Sequence, residues 1–298
     1  MTSSTAASPT HLVVATDFSP CANEALRRAD ALAARFGARL SLLHLVEPLL
    51  VTSAWGDVGS VAWMGLEALQ EAGQARLERQ LEANRTLRTT DIGLHCLVGQ
   101  SRRDLAKLAA EIGGDLLVLG THAPTGLGQK LLGSTAQATV HGSSLPLLVC
   151  RRPSATAWRR VLAATDFGNA AAKAMALVQA LAPKAEKRLL HVHAPFPEAT
   201  LALVQPDPAQ LERFVEKAEN EASMRLSALG DEHPDWISQF RRGDAADVVV
   251  REASAQQADL VALGTRGHGP WIGGLLGSVG QRVLARLDAD VLLVPATH

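Results

Sequence analysis

The stretch His11-Leu12-Val13-Val14-Ala15-Thr16-Asp17-Phe18-Ser19-Pro20 reads as a buried strand running directly into a helix start. His11 to Ala15 is nearly continuous in apolar residues, which suits a strand covered on both faces. Ser19 then offers an N-cap and Pro20 a first helical residue whose missing N–H costs nothing. From there Ala22, Ala25, Leu26, Ala29, Leu32, Ala33 and Phe36 step by three and four along one helical face. Gly37 supplies the stop.

Half a chain later the same signals return. Asp166 in Ala164-Thr165-Asp166-Phe167 repeats Asp17, His191 repeats His44, and Gly264-Thr265 repeats Gly120-Thr121. Gly277-Ser278 repeats Gly133-Ser134. Landmarks recurring in one order at a nearly constant, long offset indicate duplication of a whole domain, not a short-period solenoid. A 298-residue chain divided this way gives two units of about 150 residues, each large enough for its own core. The expected division is a disordered tail over 1–10, a first unit over 11–152 and a second over 158–298. The linker, Arg151 to Ala157, is short, so the units are expected to pack together.

Further strands are expected at 39–46, 94–98, 115–120 and 145–150, then at 160–164, 188–193, 237–240, 260–264 and 291–294. Helices are expected between them, including 66–85, 104–112 and 134–142 in the first unit. Those of the second are expected at 170–181, 208–229, 246–257 and 278–287. Strict alternation implies parallel pairing through right-handed crossovers, so the fold class is α/β: two tandem Rossmann-like domains. Leu49 to Met64, with Trp55 and Trp63, and its shorter counterpart Phe196 to Pro208 read as covering loops.

Composition removes several function classes. The 29 basic and 30 acidic residues are mixed along the chain, so no stripe for nucleic acid is expected. Cys21, Cys96 and Cys150 form no CxxC pair and read as reduced thiols. No apolar run is long enough to cross a bilayer, and the amino terminus lacks a signal-peptide pattern. A soluble, cytoplasmic protein without membrane partners is the expectation.

Gly264-Thr265-Arg266-Gly267, nine further residues and Gly277-Ser278 lie where the fourth strand of the second unit ends and a helix begins. Strand C-termini form the ligand crevice of an open α/β sheet. Glycines there admit an anion to the backbone, and Ser278 with the free amides of a helix start can hold phosphate. Asp166 stands on the opposite edge of the same crevice, placed for a ribose or a hydrated Mg²⁺, or to cap the next helix. The alternative for the glycines is that they serve only tight turns. Neither GxxxxGK[ST] nor a GxGxxG after the first strand of either unit occurs.

These residues resemble the universal stress protein family, over both halves of the chain. Its ATP-binding members carry G-x2-G-x9-G-[ST], which Gly264, Gly267, Gly277 and Ser278 match. The resemblance implies a tandem member with a five-stranded parallel sheet in each unit. It also implies that Thr165, Asp166 and Val192 surround an adenosine, and that Gly264, Arg266, Gly267, Gly277, Ser278 and Val279 surround the phosphates. His268 stands where the family pattern usually has Arg. A weaker site in the first unit would use Asp17, Gly120, Gly133 and Ser134. There Ala123 replaces the second glycine, and Pro124 removes an N–H and restrains Ala123. Weak or no nucleotide binding is expected of that unit.

His191 and His193 alternate onto one strand face, as a metal pair would. No further ligands at convincing spacing accompany them, His44, or His95 with Cys96, so no metal site is expected. No GxSxG elbow appears, and no catalytic residue is assigned. The leading expectation is an ATP-binding stress regulator, with Mg²⁺ as an accompanying ion and slow or no hydrolysis. The alternatives are a nucleotide-free scaffold acting through protein contacts and a slow Mg-dependent phosphate-cleaving enzyme. Homodimerisation is implied by the resemblance through the edge strands Leu147–Cys150 and Val291–Val294. The tandem arrangement offers an alternative, in which that pairing is made within one chain.

Overall fold

The computed structural model describes residues 8–47, 65–99, 104–121, 138–139, 143–194, 207–265 and 278–296. The first unit contributes β1 (His11–Ala15), α1 (Pro20–Phe36), β2 (Arg39–Val46), α2 (Leu66–Ala83), β3 (Ile92–Val98), α3 (Leu105–Glu111), β4 (Leu116–Gly120) and β5 (Leu147–Cys150). The second contributes β6 (Arg160–Thr165), α4 (Asn169–Leu181), β7 (Glu186–His193), α5 (Pro208–Glu232), β8 (Trp236–Arg242), α6 (Ala245–Ala255), β9 (Leu260–Gly264), α7 (Ser278–Arg286) and β10 (Asp290–Val294). The covering loops with Trp55 and Trp63, the expected helix over 134–142 apart from 138–139, and Trp271 lie outside the described residues.

Local chemistry accounts for the element ends. Ser19, extended at φ −72° and ψ 162°, accepts from the Ala22 amide at 3.2 Å and starts α1. Gly37 ends α1 in the left-handed region at φ 65°, which only glycine enters without strain. Asp207 and Asp244 cap α5 and α6 in the same manner as Ser19. Strand β3 begins at Ile92 and β8 runs from Trp236 to Arg242, both longer than their apolar runs suggest. Edge position explains this, because such strands carry polar residues that blur the apolar signal.

The strands form one ten-stranded sheet in the order β3-β2-β1-β4-β5-β10-β9-β6-β7-β8. Every pairing inside a unit is parallel, and the units join through the antiparallel pair β5–β10, with Leu148 opposite Leu292. Each unit is thus the five-stranded parallel sheet expected from its sequence. The two edge strands expected to offer pairing surfaces pair with each other. Cores lie on both faces of the sheet and each draws side chains from both units. One packs beneath α1, α2, α4 and α5, including Leu26, Leu77, Met175 and Leu226. The other packs beneath α3, α6 and α7, including Leu105, Val249 and Val283.

Polar contacts lock the junction. Asp290, fully buried, accepts from the Arg151 and Arg152 amides at 2.7 and 2.9 Å and from Trp158 Nε1 at 2.8 Å. Arg28 lies 3.6 Å from the same carboxylate and 4.8 Å from the Trp158 ring, and donates to the carbonyls of Pro153 and Thr156. Arg35 reaches across to the last carbonyls of α4, where a cation is favoured by the helix dipole. Arg151 donates to the carbonyls of Leu284 and Leu287 at the end of α7. A short linker held at this many points fixes the two units as one body.

Candidate functional site

Chain order reverses on the sheet between β6 and β9 in the second unit, and between β1 and β4 in the first. Such a switch point opens a crevice at the strand C-termini. Register pairs Ala164 with Leu263, which brings Thr165-Asp166 and Gly264-Thr265 to the two sides of that crevice. Val192 follows on the neighbouring strand, one position beyond the Thr165–His191 pair. Ser278 is the first residue of α7 and exposed, followed by half-buried Val279. Asp17 and Gly120 stand at the equivalent places of the first unit. Arg266, Gly267, Gly277, Gly133 and Ser134 lie outside the described residues, as do Ala123, Pro124 and His268.

Gly264 has a packing reason to be glycine. A Cβ there would stand 2.8 Å from both the Ala170 Cβ and the Ala171 amide nitrogen. The end of β9 therefore seats directly on the first turn of α4. Gly120 repeats the arrangement more tightly, with a Cβ falling on the Cys21 carbonyl and 2.8 Å from the Ala22 amide nitrogen. Nor is the next amide free for an anion. Thr265 N–H donates to the Val294 carbonyl at 2.9 Å, and Thr121 N–H to that of Cys150 at 3.2 Å. Close packing on α4 is thus one reason for the first glycine, separate from any turn, and the α7 start is a described place where an anion could meet backbone amides.

Asp166 does not cap α4. Gly168 is the N-cap, with no side-chain bond, and Asp166 Oδ1 accepts the Gly168 amide at 2.9 Å within the turn. Asp17 does the same for Ser19 at 3.0 Å. Within the turn Phe167 sits at φ 62° and Phe18 at φ 66°. A bulky residue in the left-handed region is costly, of order 1–3 kcal/mol, and survives only where its surroundings compensate.

Those surroundings are duplicated. Phe167 stacks on His191 with ring centroids 4.4 Å apart, and Phe18 lies tilted on His44 at the same distance. Each ring carries a guanidinium on its face, Arg225 at 4.7 Å and Arg76 at 4.1 Å. Each imidazole donates from Nδ1 to a backbone carbonyl, His191 to Thr165 and His44 to Thr16, both at 2.9 Å. A carbonyl only accepts, so Nδ1 carries the proton. Burial holds both imidazoles below the ordinary pKa, offset in part by that carbonyl bond and the nearby aspartate and reinforced by the arginine. Neutral rings suit a stack that already holds an arginine. His193 continues the stack on Phe240.

The phenylalanines and arginines were not singled out as site residues from the sequence. The available signal is recurrence: Phe18 and Phe167 each follow the aspartate, and Arg76 and Arg225 occupy matching places on α2 and α5. Side-chain alternation also separates two groups. Val192 and Val279 pack toward α6 and α7. Phe167 packs toward α4 and α5, and alternation along β6 turns the Thr165 side chain to that same face.

The duplicated switch-point crevice, one in each parallel half of the sheet, defines the class: a tandem Rossmann-like α/β protein. The universal stress protein family model matches residues 9–151 and again 157–295, and the chain belongs to that family. It is 34% identical over 139 residues to universal stress protein A homolog 1 of Coxiella burnetii, covering 46% of this chain and 93% of that relative. Over 286 residues it is 24% identical to a universal stress protein of Mycolicibacterium smegmatis, covering 95% and 96% of the two chains. A universal stress protein from Archaeoglobus fulgidus shares the fold at a TM-score of 0.67 and 16% identity, over 96% of this chain and 98% of that one.

Among the described residues no helix is long and apolar enough to cross a membrane.

Proposed function

We propose that this chain is an adenine-nucleotide-binding stress regulator that holds ATP, with Mg²⁺ as an accompanying ion, in its second unit. One observation carries the reading. The motif Gly264, Gly267, Gly277, Ser278 is complete in that unit, and its described ends lie beside Asp166 at the switch point and at the first turn of α7. Helix α7 begins at Ser278, and the positive dipole end of a helix start favours a phosphate tail. Asp166 retains lone pairs beyond its bond to Gly168 and can accept from a ribose hydroxyl. Val192 supplies apolar surface for the base, and Val279 follows Ser278 beside the phosphate tail.

Turnover is slow on this reading. No P-loop lysine is present in the sequence, and the carboxylate nearest the crevice is engaged by a backbone amide. Binding then acts through the shared sheet, whose second half is fixed to the first at Asp290. The first unit serves mainly as a scaffold, since Ala123 and Pro124 break its loop pattern. Isothermal titration with Mg-ATP tests the proposal. The expected result is one site per chain, lost in Gly277→Val; a variant that binds as tightly as the parent defeats it.

A further inference from the structure

The two units part company at one buried place. In the first, Thr16 Oγ1 donates to Gln80 Oε1 at 2.9 Å, and Gln80 Nε2 donates to Asn23 Oδ1 at 2.8 Å. Asn84 Nδ2 reaches the same oxygen at 3.2 Å. This network fills the space between α1 and α2 beneath Phe18. In the second unit the matching positions, counted from Asp166 and Arg225, are Ala172, Leu229 and His233. A cavity of about 240 Å³ lies there between α4 and α5, reaching Thr165, Phe167 and Arg225.

We propose that this cavity is a binding site for a small aromatic carboxylate. An enclosed apolar cavity of roughly 150 Å³ accepts benzene, so this larger and more open one has room for a single ring with a short polar substituent. Phe167, Met175 and Leu229 provide the apolar wall for the ring. The polar groups on the lining are few, as in small-molecule sites generally. Thr165 is buried and accepts the Phe167 amide at 2.9 Å, yet no described residue takes its hydroxyl proton, which Thr16 gives to Gln80. A ligand oxygen can take it. Arg225, exposed on the cavity lining, supplies the cation that a carboxylate requires, while Glu232, also on the lining, bears the opposite charge.

The site is distinct from the proposed nucleotide crevice and does not depend on it. Val192 and Val279 pack on the opposite face of the sheet from Phe167 and Met175. Only the Thr165–Gly168 turn is common to both.

The test uses the full-length protein with ¹³C-methyl-labelled methionine, titrated with benzoate and with benzyl alcohol. Met175 is assigned by Met175→Leu. The expected result is a saturable movement of the Met175 resonance with benzoate, at least about threefold tighter than with benzyl alcohol. Ala172→Asn with Leu229→Gln, which transplants the first unit's network, should weaken benzoate at least about tenfold. Ala172→Leu fills the same space should the double variant fail to fold. No saturable movement, a filled variant that titrates like the parent, or benzyl alcohol binding as tightly as benzoate each overturns the proposal. So does a titration abolished by Gly277→Val, which would place the ligand in the other crevice. Loss of ATP binding with benzoate binding intact would defeat only the nucleotide reading.

Discussion

The Trp158 indole N–H donates to Asp290 Oδ2 at 2.8 Å, joining the first residue after the linker to the first residue of the last strand. That carboxylate also holds the Arg151 and Arg152 amides and faces Arg28. A buried anion with several donors and a cation is stable as a set, and removal of the anion leaves the donors and the cation unpaired.

Asp290→Ala is therefore expected to destabilise the chain by about 3–5 kcal/mol, the cost of stranding a buried charge. Asp290→Asn keeps the volume and one acceptor oxygen and should lose less. Urea unfolding followed by tryptophan fluorescence and by circular dichroism checks both. Coincident loss in the two probes is the expected pattern, because the sheet is continuous.

Gly264→Ala and Gly120→Ala should each destabilise by about 1–3 kcal/mol with no nucleotide present, since the added methyl meets backbone atoms of α4 or α1. Gly120 is the tighter of the two and should cost more. Thermal unfolding of the ligand-free variants reads this directly. A neutral Gly120→Ala would remove the packing explanation for the repeated glycine.

His44 and His191 bear on acid stability. Burial lowers both pKa values in the folded chain. The unfolded chain, near the ordinary value of about 6.5, then binds more protons over the window below it. Stability is full above that value and falls as pH drops through it, until the folded-state imidazoles also protonate. Urea midpoints measured from neutral to mildly acidic pH should decline, and His44→Gln with His191→Gln should flatten the decline. Part of the slope should remain, because burial lowers His11 and His95 as well. An unchanged slope in the double variant would exclude these two residues as its source.

The Thr16–Gln80–Asn23 network should show strong non-additivity. Gln80→Leu alone strands the Thr16 hydroxyl and removes one of the two donors to Asn23 Oδ1, and should cost about 1–3 kcal/mol. Adding Asn23→Ala gives the second unit's pattern at two of the three positions and should cost less than the sum of the two single changes. A double-mutant cycle from denaturant unfolding supplies the coupling energy. Strict additivity would mean that the three groups act independently.

The α/β class, the duplication, five parallel strands in each unit and most element positions were legible in the residues. Apolar runs of five beside helical stripes such as Ala25, Leu26, Ala29 and Leu32 report burial directly, and Ser19, Pro20 and Gly37 act through bonds a few residues long. Register then placed Asp166 and Gly264 on opposite sides of one crevice.

What the chain alone determined is local: periodicity and capping depend on neighbours in sequence, so they can be read there. Tertiary structure decided the rest. It paired β5 with β10, made Asp290 a junction anchor, and showed that Gly264 is small because α4 leaves no room. It also brought Phe167, His191 and Arg225 into one stack, and left a cavity where the first unit has Gln80 and Asn23. Each of these depends on distances between residues remote in the chain, and packing fixes those distances only after the helices have settled on the sheet.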